Sequence, residues 1–208
     1  MASNISIANK ALSMLGQAPI VSFTDNSTRA KDIYEIYDQC VKEVLVEHPW
    51  NFSVKRGSLA ELDVDISWTD DGLNVAYAYP SDCLRVLNIN DNNINWRVES
   101  VEDQICILTD AAAPLGIRYI FYNNNPAHYS PKFVEALAAR IAAELSFKIL
   151  QSATGSQERW DMYSKYFLPN AISANSQEGS PIQPKQDLFV LAKYGRSVTS
   201  RQSGGYGG

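Results

Sequence analysis

Few residues of this chain combine the type and the spacing that catalysis requires. The two histidines are His48, in the stretch VEHPWNFSVKR (residues 46–56), and His128, in NNNPAHYSP. A catalytic histidine needs a nucleophile or an acid within hydrogen-bond reach. Cys40 precedes His48 by about two helical turns, which is too far for a catalytic pair on one helix. We predict that His48 is a helix-end residue, favourable there when protonated, and that His128 is not a metal ligand.

The acidic stretch ELDVDISWTDDG (residues 61–72) invites comparison with a calcium-binding loop. An EF-hand loop needs glycine at its sixth position and glutamate at its twelfth. Counted from Asp63, these positions hold Trp68 and Asn74, so the match fails and we predict a solvated loop. The chain also lacks a P-loop, a GxGxxG after a strand, GxSxG and HExxH. We predict no metal, no cofactor and no enzymatic activity.

Composition is that of an ordinary globular chain with an uneven charge distribution. The 208 residues are 45% hydrophobic and carry a net charge of −5. Residues 180–208 contain four cationic residues and one acidic residue, a net charge of +3. Residues 1–179 therefore carry a net charge of −8. An acidic body with a basic tail suggests that the tail has a partner of its own. Nothing overall indicates binding to a phosphate backbone.

The chain shows no sign of export or membrane insertion. The N-terminus lacks the basic and apolar layout of a signal peptide, and no apolar run approaches the roughly 18 residues that span a membrane. The three cysteines are odd in number and form no CxxC pair. We predict reduced, buried thiols in a cytosolic setting.

Helical periodicity marks both ends of the body. The first helix is predicted to end at Gly16, a left-handed stop. The second is predicted to end at Pro49, because the residue before a proline avoids helical geometry. Near the other end, Ser130 and Pro131 predict the start of a helix over residues 131–150. A fourth helix is predicted after Gly155, with Pro169 kinking or splitting it.

Between these helices the pattern is that of short strands. Six runs rich in β-branched and aromatic residues alternate with turn clusters: SVKRGSL, NVAYAY, LRVLNI, INWRV, QICIL and IRYIFY. No long helix separates them, so the sheet is predicted to be mostly antiparallel. The fold class is α+β: a bundle of about four helices (within residues 4–48 and 130–178) with a small inserted sheet (52–122) and an extended C-terminal tail (180–208).

Four motifs, taken in order, resemble the head-to-tail adaptors of short-tailed bacteriophages, also called tail tubular protein A or gateway proteins. The first is ALSMLGQAPIVSFTDNSTRA with the helix that closes in HPWNF. The others are YAYPSDCLRVLNI, the helix FVEALAARIAAEL, and the tyrosine-bearing last helix ending near Gln177 and Glu178. Together they cover roughly residues 5–178. Pro169 is a departure from the family pattern, in which this helix resembles an uninterrupted one. The tail after Gly179 is not a feature that defines the family.

The resemblance implies a structural virion protein with no catalytic residues. Such proteins form a ring, expected to be dodecameric, between the portal and the tail nozzle or other tail proteins. Double-stranded DNA passes through the ring without specific binding during packaging retention and ejection. The body would be the adaptor domain, located in the virion neck and in the host cytoplasm during assembly.

Two sets of residues are the expected structural and binding sites. Pro49 would stop the long helix, while Trp50 and Phe52 plug the seam between bundle and sheet. The tail would dock on the portal or on a neighbouring subunit, and adding a strand to a sheet is one way for it to do so. Its candidate contacts are Leu188, Phe189, Val190, Leu191, Lys193, Tyr194 and Arg196.

Three other functions remain open from the sequence. The first is another tail-ring protein, such as a nozzle, completion or stopper protein. The second is a DNA-packaging factor. Such a protein is expected to have a basic recognition helix, and none of the four predicted helices is one. The third is an enzyme with an unrecognised site. Ring symmetry separates the adaptor from a nozzle, which is more often sixfold.

Overall fold

In the part of the chain that the structure describes, helices come first and last, with six strands between them. The computed structural model describes residues 2–64, 66, 72–89 and 94–179. The helices are α1 (Asn4–Met14), α2 (Thr28–Glu47), α3 (Pro131–Leu150), α4 (Ala153–Met162) and α5 (Leu168–Ser176). The strands are β1 (Val54–Leu59), β2 (Val75–Ala78), β3 (Cys83–Ile89), β4 (Trp96–Val101), β5 (Gln104–Thr109) and β6 (Leu115–Phe121). The predicted mixture of helices and antiparallel strands is confirmed, and no helix in these ranges could span a membrane.

Both ends of α1 are closed by local hydrogen bonds. At its start, Ser3 and Ser6 form a reciprocal capping box. At its end, the backbone N–H of Gln17 donates to the Leu12 carbonyl and Gly16 takes φ +68°. This is the Schellman geometry, which uses a left-handed residue to satisfy the last carbonyls of a helix. The predicted stop at Gly16 is therefore confirmed.

Gly16→Ala is expected to destabilise the fold by about 1 kcal/mol, because a Cβ is disfavoured in left-handed backbone. Nothing lies within 4 Å of the added Cβ, so the loss comes from backbone strain and not from a clash. Gly16→Asn should lose less, since asparagine tolerates this conformation. Urea unfolding of both variants checks the order. Equal losses for the two would contradict the strain argument.

The second helix ends where its proline predicts. Ser27 caps α2 by accepting from the Ala30 N–H, and the helix continues to Glu47. His48 is extended, with φ −144° and ψ 145°, as expected of a residue before proline. The buried stripe of α2 contains Ala30, Ile33, Cys40, Val41, Val44 and Leu45. This stripe faces α3.

The third helix is the centre of the helical packing. Ser130 accepts from the Phe133 N–H and Pro131 is the first helical residue, as predicted. Helix α3 packs against α1, α2, α4 and α5. Its buried residues are Phe133, Ala136, Leu137, Ala138, Ala139, Ile141, Ala142, Ala143, Leu145 and Ser146. The alanines on several faces let more than one neighbouring helix approach its axis closely.

The last helical segment runs without interruption from Ala153 to Ser176 but changes its winding. It starts at Ser152, whose side chain caps Gly155, so the prediction of a start after Gly155 is wrong by one turn. A π-helical turn, Tyr163–Phe167, separates α4 from α5. Pro169 lies just beyond it, in the first turn of α5. The wider turn accommodates a proline that lacks an N–H, so the predicted split occurs without a chain break.

The prediction of one small sheet is wrong, because the strands form two. The first sheet has the order β1-β6-β3 and the second the order β2-β5-β4. Every pairing is antiparallel, as predicted. Only the β4–β5 pairing is a tight hairpin; the others join strands that are distant in sequence. Local patterns locate strands but carry little information about such long-range partners.

The two sheets stack in layers beside the helices. One face of the first sheet presents Ile120 to the helical core. Its other face packs against the second sheet through Tyr77, Ile107, Leu115 and Ile117. The outer face of the second sheet is covered by Ile66 and Leu73, against Ala76, Cys106 and Leu108. The compact unit ends at Glu178, close to the predicted boundary at residue 179.

Candidate functional site

The corner between α2 and β1 is built from residues 48–53. The Trp50 N–H donates to the His48 carbonyl at 2.8 Å, and a 3₁₀ turn, Asn51–Ser53, follows. Ser53 is buried, and its Oγ donates to the Phe121 carbonyl at 2.6 Å. The chain therefore passes from a helix to a sheet in six residues while remaining hydrogen-bonded to both.

Four aromatic rings fill this corner. Trp50 is fully buried and meets Phe133 edge to face at a centroid distance of 4.9 Å. Phe52 lies 4.9 Å from Phe133 and 5.4 Å from Tyr129. The indole Nε1–H of Trp50 donates to the Val44 carbonyl at 2.8 Å, which satisfies its one polar group. The predicted residues Trp50 and Phe52 thus lie between the end of α2 and the start of α3.

Asparagine side chains, of which Asn123 and Asn175 are buried, form a second layer that the sequence did not indicate. The Asn51 N–H donates to Asn175 Oδ1 at 2.9 Å, and Asn51 Nδ2 donates to the Asn175 carbonyl at 3.0 Å. Asn123 Nδ2 donates to the Phe52 carbonyl at 2.8 Å. Tyr129 OH in turn donates to the Asn123 carbonyl at 2.7 Å. These bonds join the corner to α5 and to the end of β6, and single asparagines carry no periodic signal that would reveal them.

His48 is a hydrogen-bond partner in this amide layer. Its Nε2 lies 3.1 Å from Asn175 Nδ2, and the orientation of that amide is fixed by the Asn51 bond to its Oδ1. The ring nitrogen therefore accepts, which requires the neutral imidazole. Burial lowers the pKa of His48, and the charge of Arg85 lowers it further. His48 therefore lies at the helix end, as predicted, but it acts there as a neutral hydrogen-bond acceptor.

Acidification is expected to destabilise the protein through His48. Because its pKa is lowered on folding, its contribution is fully present above the unfolded value of about 6.5 and is lost as the pH falls towards the folded pKa. His48→Gln keeps an acceptor that does not titrate. Urea unfolding between mildly acidic and neutral pH should show a smaller loss of stability for this variant than for the wild type. Parallel profiles would contradict this role.

The other candidate catalytic groups are held in structural contacts. His128 lies between two amides, with Asn123 Nδ2 3.4 Å from its Nδ1 and Asn125 Nδ2 3.2 Å from its Nε2. Cys40 is buried and free, and burial raises the pKa of its thiol to about 12. A thiol with such a pKa is not a nucleophile near neutral pH.

A second cluster of side chains, which the sequence did not predict, surrounds Arg140 on α3. Its guanidinium pairs with Glu43 of α2 and lies 3.7 Å from Glu144. It also lies over the rings of Trp160, at 4.5 Å, and Tyr163, at 5.6 Å. Burial lowers the pKa of Arg140, but the opposing interactions with Glu43, Tyr163, Cys40 and Glu144 together outweigh burial, and the pKa is raised. The FVEALAARIAAEL motif contains Arg140 and Glu144, but the other partners, Glu43, Trp160 and Tyr163, come from other segments.

Two further predictions concern residues that are partly or wholly outside the described ranges. Among the described residues, no group of three or more histidine, cysteine, aspartate or glutamate side chains could hold a metal ion. Part of the acidic stretch, residues 65 and 67–71, lies outside these ranges. The tail with its candidate contacts at residues 188–191, 193, 194 and 196 also lies outside them.

No family model matches the sequence, and no curated protein is significantly similar to it.

Proposed function

We propose that the protein is a structural subunit of a phage head-to-tail adaptor. It would form a dodecameric ring between the portal and the tail nozzle. Double-stranded DNA would pass through the lumen of this ring. The helical segments would form the bundle, residues 52–122 its β-rich insertion, and residues 180–208 an extended tail. One observation carries the proposal. Residues from all four adaptor-like motifs lie along the seam between the helices and the first sheet, where they contact one another or contact the same neighbouring residue.

The first and third motifs meet at the aromatic cluster. Trp50 and Phe52, from HPWNF, both contact the ring of Phe133, the first residue of the FVEALAARIAAEL motif. In the same two motifs, Arg140 reaches back to Glu43 on α2. These contacts bridge about 80 to 100 residues of sequence, so the motifs belong to one structural unit.

The second motif is attached to the same seam through Asp82. Its carboxylate pairs with Lys55 at 2.8 Å and accepts from Tyr119 OH at 3.1 Å. Its carbonyl accepts from the Tyr122 N–H at 2.8 Å. The hydrogen bond from Lys55 lowers the pKa of Asp82; burial partly opposes this effect, and the bond from Tyr119 lowers the pKa further. The aspartate of YPSDC thus ties the start of β3 to β1 and β6, immediately beside the corner.

The fourth motif closes the seam from the C-terminal side. Tyr163 OH bonds to the Glu47 carboxylate in the last turn of α2. Asn51 Nδ2 lies 3.4 Å from Glu178 Oε2, and Asn175 bonds to both Asn51 and His48. The last helix is therefore fixed to the end of α2 at both the π turn and its C-terminus.

These contacts favour a structural role for the protein over a catalytic one. Motif residues that serve catalysis converge on a cleft with reactive groups, whereas here they hold helices to a sheet. A subunit that must hold its shape while DNA moves past it requires such a seam. The acidic body supports the same function, since a lumen that repels DNA weakly allows it to slide.

Electron microscopy of the protein mixed with the portal protein from the same genome tests the proposal. We expect a twelvefold ring seated under the portal. A sixfold ring, or binding only to another tail ring, would instead assign the protein to a position further down the tail. A chain that binds neither the portal nor any tail protein would refute the proposal.

Residues 180–208 are proposed to contact the portal or a neighbouring subunit. A chain ending at Gly179 retains the whole compact unit that ends at Glu178. We therefore expect it to melt like the full chain but to bind the portal at least tenfold more weakly, measured by biolayer interferometry. Retention of full portal affinity would remove the tail from the interface.

A further inference from the structure

Most charged side chains on the helices are neutralised within the chain. Lys148 of α3 pairs with Asp32 of α2 at 2.6 Å, and Lys10 of α1 pairs with Glu135 of α3 at 3.3 Å. Lys165 similarly pairs with Asp161 at 2.7 Å. The two sheets differ, because two groups of like charges on them have no ion-pair partner among the described residues. One group is cationic and the other is acidic.

The cationic group is a groove on the first sheet, here called the arginine groove. Arg56 of β1 and Arg118 of β6 are directly opposite each other, and Asn88 of β3 is opposite Arg118 on the other side. The groove has a volume of about 350 Å³ and is completed by Gly57, Gly116 and Ile117. Like charges directly opposite across strands destabilise a sheet. No carboxylate of the described residues forms an ion pair with either arginine, so their repulsion is not relieved there by a salt bridge.

The acidic group is the turn of the β4–β5 hairpin, here called the acidic tip. Glu102 and Asp103 are its two central residues, with φ +47° and +65°, and both are exposed. A two-residue hairpin turn with positive φ at both positions favours asparagine followed by glycine. Two carboxylates occupy these positions against that preference, and neither forms an ion pair with a described residue.

The groove and the tip lie at different positions along the first sheet. Gln104 and Ile105, next to the tip, line a pocket with Cys83, which is paired with Phe121 at the end of β6. The groove includes Gly116, near the start of β6. Two complementary surfaces at separate places on one chain suit contact between copies. Such head-to-tail contacts close into a ring when the rotation between copies allows it.

We propose that the acidic tip of one subunit docks in the arginine groove of the next. Guanidinium groups bind carboxylates through paired, charge-assisted hydrogen bonds, which fits two arginines facing two carboxylates. A second copy is favoured over nucleic acid as the occupant, because residues 1–179 carry −8 and repel a phosphate backbone. This inference rests on the proposed ring and names the contact that would build it.

The first test removes the tip charges without harming the fold. The double variant Glu102→Asn/Asp103→Gly places the preferred residues in the turn, so we expect a melting temperature equal to or above that of the wild type. Its assembly, measured by sedimentation velocity and electron microscopy with and without the portal protein, should fall at least tenfold. Wild-type assembly by this variant would overturn the inference.

The second test exchanges the charges between subunits. Arg56→Glu/Arg118→Glu reverses the groove, and Glu102→Arg/Asp103→Arg reverses the tip. Each variant alone should fail to assemble, because its tip and groove carry like charges. A 1:1 mixture should assemble into rings of alternating subunits, since each tip then meets an opposite groove. Failure of the mixture while the wild type assembles would overturn the inference.

The outcomes separate this contact from the function of the ring. If the wild type forms portal-bound rings and the charge variants do so equally well, the ring stands and the tip–groove contact is refuted. If the wild type forms no ring under any of these conditions, both are refuted. If a short DNA duplex binds the wild type and not the reversed groove, while ring assembly is unchanged, the groove is a phosphate site and the inference is overturned.

Discussion

Trp50→Ala is expected to lower the free energy of unfolding by about 3–5 kcal/mol, the range typical of truncating a buried aromatic side chain to alanine. The indole is fully buried and contacts Phe133 edge to face. Its loss leaves a cavity between α2 and α3 and an unpaired carbonyl at Val44. Chemical unfolding monitored by far-UV circular dichroism measures the change. Ring assembly on the portal should fall in parallel, because the corner holds the helices to the first sheet.

Two matched variants distinguish the burial of Trp50 from general effects of removing a ring. Trp50→Phe retains an apolar ring and removes the Nε1–H bond, so its loss should be smaller than that of alanine. Phe147→Ala truncates an aromatic residue that is 64% exposed on α3 and should change stability by less than about 0.5 kcal/mol. A soluble Trp50→Ala protein with wild-type melting and wild-type assembly would refute the importance of the corner.

Local sequence signals were sufficient for the elements of this fold. The residue before Pro49, the serine before Pro131 and the glycine after α1 each act within one helical turn, and each gave the correct boundary. The six strands were visible because alternation is also local. The start of α4 was predicted wrongly because glycine usually interrupts a helix. Here Gly155 lies inside a helix that is capped by Ser152.

Pairing and polar contacts were not predictable, because they depend on distant residues. Nothing near β6 indicates that it lies between β1 and β3, or that Arg118 faces Arg56. In the candidate site the apolar residues Trp50 and Phe52 stood out by their type and position beside Pro49. Asn175, the amide partner of the intervening Asn51, is more than 120 residues away, and one asparagine in a helix carries no signal of burial.

The same limit explains why Arg140 was read only as part of a helical motif. Its side chain is 15% exposed and links three helical segments through contacts with Glu43, Trp160 and Tyr163. Its Nε has no hydrogen-bond partner. The arginine therefore incurs a desolvation cost that only its ion pairs and ring contacts offset. Removing such a cation is more damaging than removing an exposed one, because its partners were positioned around it.

Arg140→Met is accordingly expected to destabilise the fold by about 2–4 kcal/mol, since it leaves Glu43 partly buried without its counter-charge. Glu43→Gln in that background should recover part of the loss, and a double-mutant cycle in urea measures the coupling. Lys165→Ala breaks an exposed ion pair with Asp161 on the same segment and should change stability by at most about 0.5 kcal/mol. If Arg140→Met and Lys165→Ala cost the same, Arg140 does not organise the helical packing. A large loss with strong coupling to Glu43 would make this arginine the main electrostatic link among α2, α3 and the π turn.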